Sequence, residues 1–165
     1  NAELFYKKGL KKDSQMNYAW LNLSSVYNMQ GKNELALKAL QTALKNDAKN
    51  DRIYYNLALL NNEMNNKREA EKNFAKAVDL NSPNSRVYYN YGLMLNEKKN
   101  YAAAEKILLK GIAINNNAPE LYYALTFVYI GANNSAKAQQ TATVLKQLDP
   151  TNPNYQQLFS QLNVN

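Results

Sequence analysis

The sequence predicts an all-α solenoid of antiparallel helix pairs, and three observations carry that prediction. The segment Arg52 to Glu63, reading RIYYNLALLNNE, returns almost intact 34 residues later as Arg86 to Glu97, reading RVYYNYGLMLNE. Small residues keep the same offset along the chain, at Ala2, Ala36, Ala70, Ala104 and Ala138. Between them the apolar residues recur at helical spacing, punctuated by turn residues. A copied aromatic-asparagine segment with five alanines in register defines a repeat, and repeats of this length stack so that each contacts its neighbours.

Residues 1–16 read as one helix with Leu4, Phe5, Tyr6, Gly9 and Leu10 on its stripe. Ala2, Tyr6 and Gly9 lie one period before Ala36, Leu40 and Ala43. This is the pattern of a second helix whose first helix is missing, so an exposed apolar edge and a longer natural chain are expected. Residues 17–50 form the first full unit. Its first helix places Trp20, Leu23, Val26 and Tyr27 on one face, and Gly31 breaks it as the favoured residue past a helix end. Its second helix turns Leu37, Leu40, Ala43 and Leu44 inward. Units 51–84, 85–118 and 119–152 repeat the scheme. Residues 153–165 start with Pro153, suited to a first helical turn, and carry Leu158, Phe159 and Leu162 on one face. Their other face is Gln156, Gln157, Ser160 and Gln161, as a solvating helix that closes a stack requires.

These positions resemble the tetratricopeptide repeat family. Unit 17–50 carries Trp20, Leu23-Ser24, Tyr27, Ala36, Leu40 and Ala43. Unit 51–84 carries Tyr54, Leu57-Ala58, Ala70, Phe74 and Ala77, with Asn61 replacing the second aromatic. Unit 85–118 supplies Tyr88, Tyr91-Gly92, Leu95, Ala104, Leu108 and Gly111. Unit 119–152 supplies Tyr122, Leu125-Thr126, Tyr129, Ala138 and Pro150, with Leu145 at a normally small position. Small residues let paired helices approach while a large residue opposite fills the gap. The resemblance covers essentially the whole chain as a single domain, and implies a right-handed superhelix whose first helices line the concave surface.

Composition excludes several functions. The 165 residues contain neither cysteine nor histidine, which removes disulfides, thiol nucleophiles and the commonest general base and metal ligand. Glu63 and Glu97 make the best carboxylate pair, but a repeat apart they are too distant to share a proton. No enzyme, cofactor or metal is therefore expected. Apolar runs fall far short of a membrane span. The net charge of +7 keeps polyanions in view, yet most lysines sit on second helices without an aromatic stacking platform, so nucleic acid is disfavoured. Asparagine fills the turns at Asn65-Asn66, Asn115-Asn116-Asn117 and Asn133-Asn134, where it tolerates left-handed backbone; genomic base composition is the equal alternative.

Binding is the better expectation, and first-helix residues not used in packing locate it. The first unit offers Tyr18, Leu21, Asn22, Ser25, Asn28 and Met29; the second Arg52, Tyr55, Asn56, Leu59, Asn62 and Glu63; the third Arg86, Tyr89, Asn90, Leu93, Asn96 and Glu97; the fourth Glu120, Tyr123, Ala124, Phe127 and Ile130. Tyr55, Tyr89 and Tyr123 would offer flat amphipathic surfaces. Asn22, Asn56 and Asn90 would offer donors and acceptors to a peptide main chain. Some family members use asparagines at matching positions that way, so the resemblance implies a peptide groove. Other members clamp a chaperone's terminal carboxylate, but the corresponding residues here are Leu21, Ser25, Asn56, Arg86 and Asn90, and only Asn56 and Arg86 fit. Phe127 and Ile130 suggest an apolar anchor pocket at the C-terminal end of the groove, but the 153–162 helix is expected to cover them. A protein or peptide partner is thus expected, with self-association through the N-terminal edge or polyanion binding as alternatives.

Overall fold

The computed structural model describes residues 2–164, and these form ten α-helices with no strand among them. The helices are α1 (Ala2–Lys12), α2 (Asn17–Met29), α3 (Asn33–Asn46), α4 (Asp51–Glu63), α5 (Lys67–Asp79), α6 (Ser85–Glu97), α7 (Tyr101–Ile114), α8 (Pro119–Gly131), α9 (Ser135–Leu148) and α10 (Pro153–Gln161). Helices α2, α4, α6, α8 and α10 begin 34 residues apart, as do α3, α5, α7 and α9. The chain divides into two compact units, Asn1–Ser82 and Pro83–Asn165, holding α1–α5 and α6–α10 respectively.

Each pair turns through three residues, which forces tightly packed helices to run antiparallel. The turns share one chemistry. Gly31, Asn65, Lys99 and Asn133 occupy the same register position, and all take a left-handed backbone with φ between 56° and 71°. The next amide then reaches back to a carbonyl of the finished helix: Lys32 to Tyr27 at 2.9 Å, Asn66 to Asn61 at 2.7 Å, Asn100 to Leu95 at 2.9 Å and Asn134 to Tyr129 at 2.8 Å. That bond closes orphan carbonyls at the helix end. Asn81 and Asn163 are also left-handed, so turn chemistry accounts for four of the asparagines. Lys99 is the exception, a long side chain where Gly or Asn belongs. Lys99→Gly should therefore stabilise the chain by about 1 kcal/mol, since relief of the left-handed cost outweighs the freedom glycine adds to the unfolded chain. Denaturant melts of the two proteins check it.

Three exit turns use the leading aromatic of the first helix that follows, in α2, α4 and α8. Trp20 Nε1 donates to Ser14 O at 2.8 Å, and the hydroxyls of Tyr54 and Tyr122 donate to Ala48 O and Asn116 O at 3.1 Å. The ring packs while its polar tip fastens the carbonyl six residues upstream, a use open only to Trp and Tyr among the large apolar side chains.

In the first unit, Leu10, Leu23, Tyr27, Leu40, Ile53 and Leu57 form one buried cluster around Ala36 and Ala43. Asn61 stands buried where the family pattern has an aromatic, and it is satisfied locally: its Nδ2 donates to Leu57 O at 2.8 Å and its Oδ1 accepts from Asn66 Nδ2 at 3.5 Å. In the second unit, Tyr88, Leu108, Leu121 and Val128 are fully buried. Gly92 and Gly111 bring α7 close. A Cβ on Gly92 would fall 2.6 Å from Leu108 Cγ, and one on Gly111 would fall 2.6 Å from Tyr88 Cβ. Leu145, large where its counterparts are Ala43, Ala77 and Gly111, is buried with Leu158 and Phe159 of α10.

The expectation that α10 covers Phe127 and Ile130 is corrected by the structure. The buried stripe of α10 goes to Ala142 and Leu145 of α9, leaving Phe127 and Ile130 36% and 39% exposed.

Candidate functional site

The residues expected to bind are described within each unit separately. In the first unit Ser25, Asn56 and Leu59 come together in a cleft of about 190 Å³ between α2 and α4, joined by Asn28, Met29 and Glu63. Asn28 Nδ2 donates to Glu63 Oε2 at 2.7 Å and so ties one end of the cleft across the two helices. Asn56 Nδ2 donates to Arg52 O at 3.0 Å, one turn back in its own helix. Its remaining amide hydrogen and its carbonyl oxygen stay available to a ligand main chain. Ser25 spends its hydroxyl proton on Leu21 O at 3.2 Å, which leaves it an acceptor toward the cleft.

Other expected residues of this unit stand apart from the cleft. Leu21 is a correction: it is 5% exposed and belongs to the core cluster. It shares a register position with Tyr55, but an aliphatic side chain has no polar tip to hold toward water and gains more by burial. Tyr55 is half-buried with its ring tilted against Phe74, centroids 6.2 Å apart. Asn22 and Arg52 are exposed. Asn62 Oδ1 accepts from Lys67 Nζ at 2.8 Å, at the start of α5.

In the second unit the aromatic residues gather. Tyr123 meets Phe127 edge-on and Tyr155 at a tilt, each with ring centroids 4.9 Å apart. Burial raises the Tyr89 phenol above its ordinary pKa, and the nearby Tyr123 and Glu120 push it the same way. Burial likewise raises Tyr155, with Asp149 and Glu120 adding to it. Tyr89 and Tyr155 therefore keep their protons at physiological pH and can donate hydrogen bonds. Glu120 is oriented by Ser85, whose Oγ donates to Oε1 at 2.6 Å. Asn90 and Leu93 lie half-buried on α6, and Arg86 is exposed. Among the described residues neither Arg52 nor Arg86 has a carboxylate partner, and the neighbouring Asp51 makes no ion pair with Arg52. Asp51 instead accepts from Ser82 Oγ. Asn96 Oδ1 is buried without a hydrogen-bond partner.

Sequence reasoning misses Tyr155, because the composition of α10 points only to a closing helix. A signal is present: Tyr155 occupies the register of Ile53, Val87 and Leu121, all fully buried, and a tyrosine there carries a hydroxyl that a core has no use for.

Among the described residues no group of acidic side chains could hold a metal ion. None of their helices is long and apolar enough to cross a membrane.

Three family models match the sequence, described as tetratricopeptide repeat over residues 95–162 and 55–119 and as TPR repeat over residues 25–65. No curated protein matches it. Solved structures do. PilF of Pseudomonas aeruginosa is similar with a TM-score of 0.82 and 24% identity, covering 95% of this chain and 72% of its own. MamA from Desulfovibrio magneticus gives 0.75 and 22%, with 90% and 84% covered. YrrB, described as a TPR protein with an unusual peptide-binding site, gives 0.74 and 19%, with 88% and 75% covered. At these identities the likeness is one of fold.

Proposed function

This chain belongs to the tetratricopeptide repeat family, and from that premise we propose that it is a protein-interaction module holding a peptide segment of a partner against its first-helix faces. The observation that carries this reading is the cleft between α2 and α4. It sets the amide of Asn56 and the hydroxyl of Ser25 beside the apolar Leu59 and Met29. Polar groups there pair with a peptide main chain whatever its sequence, and the apolar floor accepts a side chain. In the second unit Tyr89, Tyr123 and Tyr155 serve the same end, offering large contact area for little lost freedom. YrrB supports the reading by analogy of fold, and repeats 17–50, 51–84, 85–118 and 119–152 would each contribute a face. The groove residues proposed are those named for each unit, Leu21 and the buried Ala124 excepted.

Peptides selected by display against the whole chain test this. Asn56→Ala should weaken a peptide held by the first unit, and Tyr123→Ala one held by the second, each about tenfold, the size of one lost interfacial anchor. The melting temperature of Asn56→Ala should not fall, because alanine favours a helix interior. Equal affinity for both variants and the parent would refute the groove.

Self-association is a second reading, favoured by one observation. Leu4 and Phe5 of α1 are 55% and 72% exposed, and Tyr18 beside them is 60% exposed. Light scattering that gives the monomer mass at high concentration would end it.

A further inference from the structure

We propose that the first unit carries a second binding site, for an acidic amphipathic peptide segment, in a groove walled by α1 and α3 over a floor of α2. The groove encloses about 480 Å³ and shares no residue with the α2–α4 cleft. Its floor is apolar, made by Trp20 and Leu23 with Leu10 at the foot of the α1 wall, and Leu35 on the α3 wall is 41% exposed. Lysines stand on both walls, Lys7 and Lys11 on α1 and Lys38 on α3. Lys7 is held by Glu3 at 2.7 Å, while Lys11 and Lys38 have no carboxylate partner among the described residues.

The repeat itself supplies the control that makes this groove unusual. Position for position, Leu35 is matched by Glu69, Ala103 and Lys137 in the later repeats. Ala39, small at the groove wall, is matched by Asn73, Ile107 and Thr141, and Thr42 by Lys76, Lys110 and Val144. Side chains that fill or charge the equivalent surface elsewhere are here trimmed, and an apolar one is placed on the exposed wall. An exposed leucine beside a cleared floor loses free energy to water unless something covers it.

Charge complementarity names the occupant. Cations on two opposite walls suit a ligand with several negative charges spread about an apolar stripe, which is the surface of an acidic amphipathic peptide. A single-headed amphiphile would engage one wall. Single-stranded nucleic acid would find one tryptophan, too few rings to stack successive bases.

Trp20 is the only tryptophan in the chain, so its emission reports this groove alone. The whole chain is titrated with a short helical peptide of leucine and glutamate, with its lysine-for-glutamate counterpart, with dodecanoate and with oligouridylate. The acidic peptide should shift Trp20 emission with an affinity that falls as salt rises. Leu35→Glu, which installs the residue of the next repeat at an exposed site, should weaken it at least about tenfold, as should Lys11→Glu with Lys38→Glu. Thermal midpoints should stay unchanged, and Asn56→Ala should bind the peptide normally, separating this site from the cleft. A silent Trp20, undiminished binding by the variants, or stronger binding of dodecanoate, oligouridylate or the basic peptide would each overturn the proposal.

Discussion

Gly111→Ala should destabilise the chain by about 1–3 kcal/mol, the range for an added methyl group that a packed site cannot accept. The new carbon would meet Tyr88 Cβ at 2.6 Å and Tyr88 Cγ at 2.8 Å, atoms next to the backbone that cannot swing aside. The other repeats display the outcome. Trp20 and Tyr54, each opposite an alanine (Ala43 and Ala77), are only half-buried, whereas Tyr88 opposite Gly111 is fully buried. An alanine at 111 would drive Tyr88 outward toward the exposure of its counterparts, giving up apolar burial as it goes. The control is Gly9→Ala in α1, where nothing lies within 4 Å of the added carbon. There the same change should stabilise by about 0.5–1 kcal/mol through helix propensity. Thermal melts of the two variants should move in opposite directions, and a neutral Gly111→Ala would mean that α6 and α7 do not approach this closely.

Alkaline titration should produce the second large effect. Tyr129 is buried on α8, its hydroxyl donates to Glu105 Oε1 at 2.8 Å, and Lys137 Nζ donates to the same oxygen at 2.8 Å. Burial first and the Glu105 hydrogen bond second push the phenol up to about 12. In the unfolded chain it titrates near 10. Between those values the unfolded state has lost the proton that the native state keeps, so stability falls as pH rises. The full contribution is present below about pH 10, and roughly 2–3 kcal/mol is lost by pH 12. Tyr89 and Tyr155 are shifted in the same direction and steepen the loss. Tyr129→Phe should flatten the decline while lowering stability at neutral pH by about 1 kcal/mol, the worth of one hydrogen bond. Denaturant unfolding at intervals from pH 9 to pH 12 reads both, and equal slopes in parent and variant would refute the assignment.

The helix series was legible because its markers are residues with one physical use. Alanines at the crossing points, aromatics whose polar tips fasten exit turns, and left-handed Gly or Asn at three of the four pair turns recur at a fixed interval. Depth was less legible than direction. Periodicity says which way a Cβ points, and so Leu21 and Tyr55 look alike, yet one is core and the other stands half in water. Covering partners were harder still. Nothing local in Phe127 or Ile130 tells that α10 spends its stripe on α9. The aromatic cluster around Tyr123 needed Tyr155 from a helix whose composition advertised only solvation. Of the proposed binding residues, Ser25, Asn56 and Leu59 come together in one cleft, and their neighbours Asn28 and Glu63 obey the same helical spacing.

The order of helix contacts has a kinetic consequence. Within each unit the strongly packed partners are adjacent helices or, as with α6 and α8, helices two apart in sequence. No distant loop has to close before native packing begins, so the chain entropy opposing the first productive collision is small. Refolding after a denaturant jump should be rapid, and any adjacent helix pair can act as its seed.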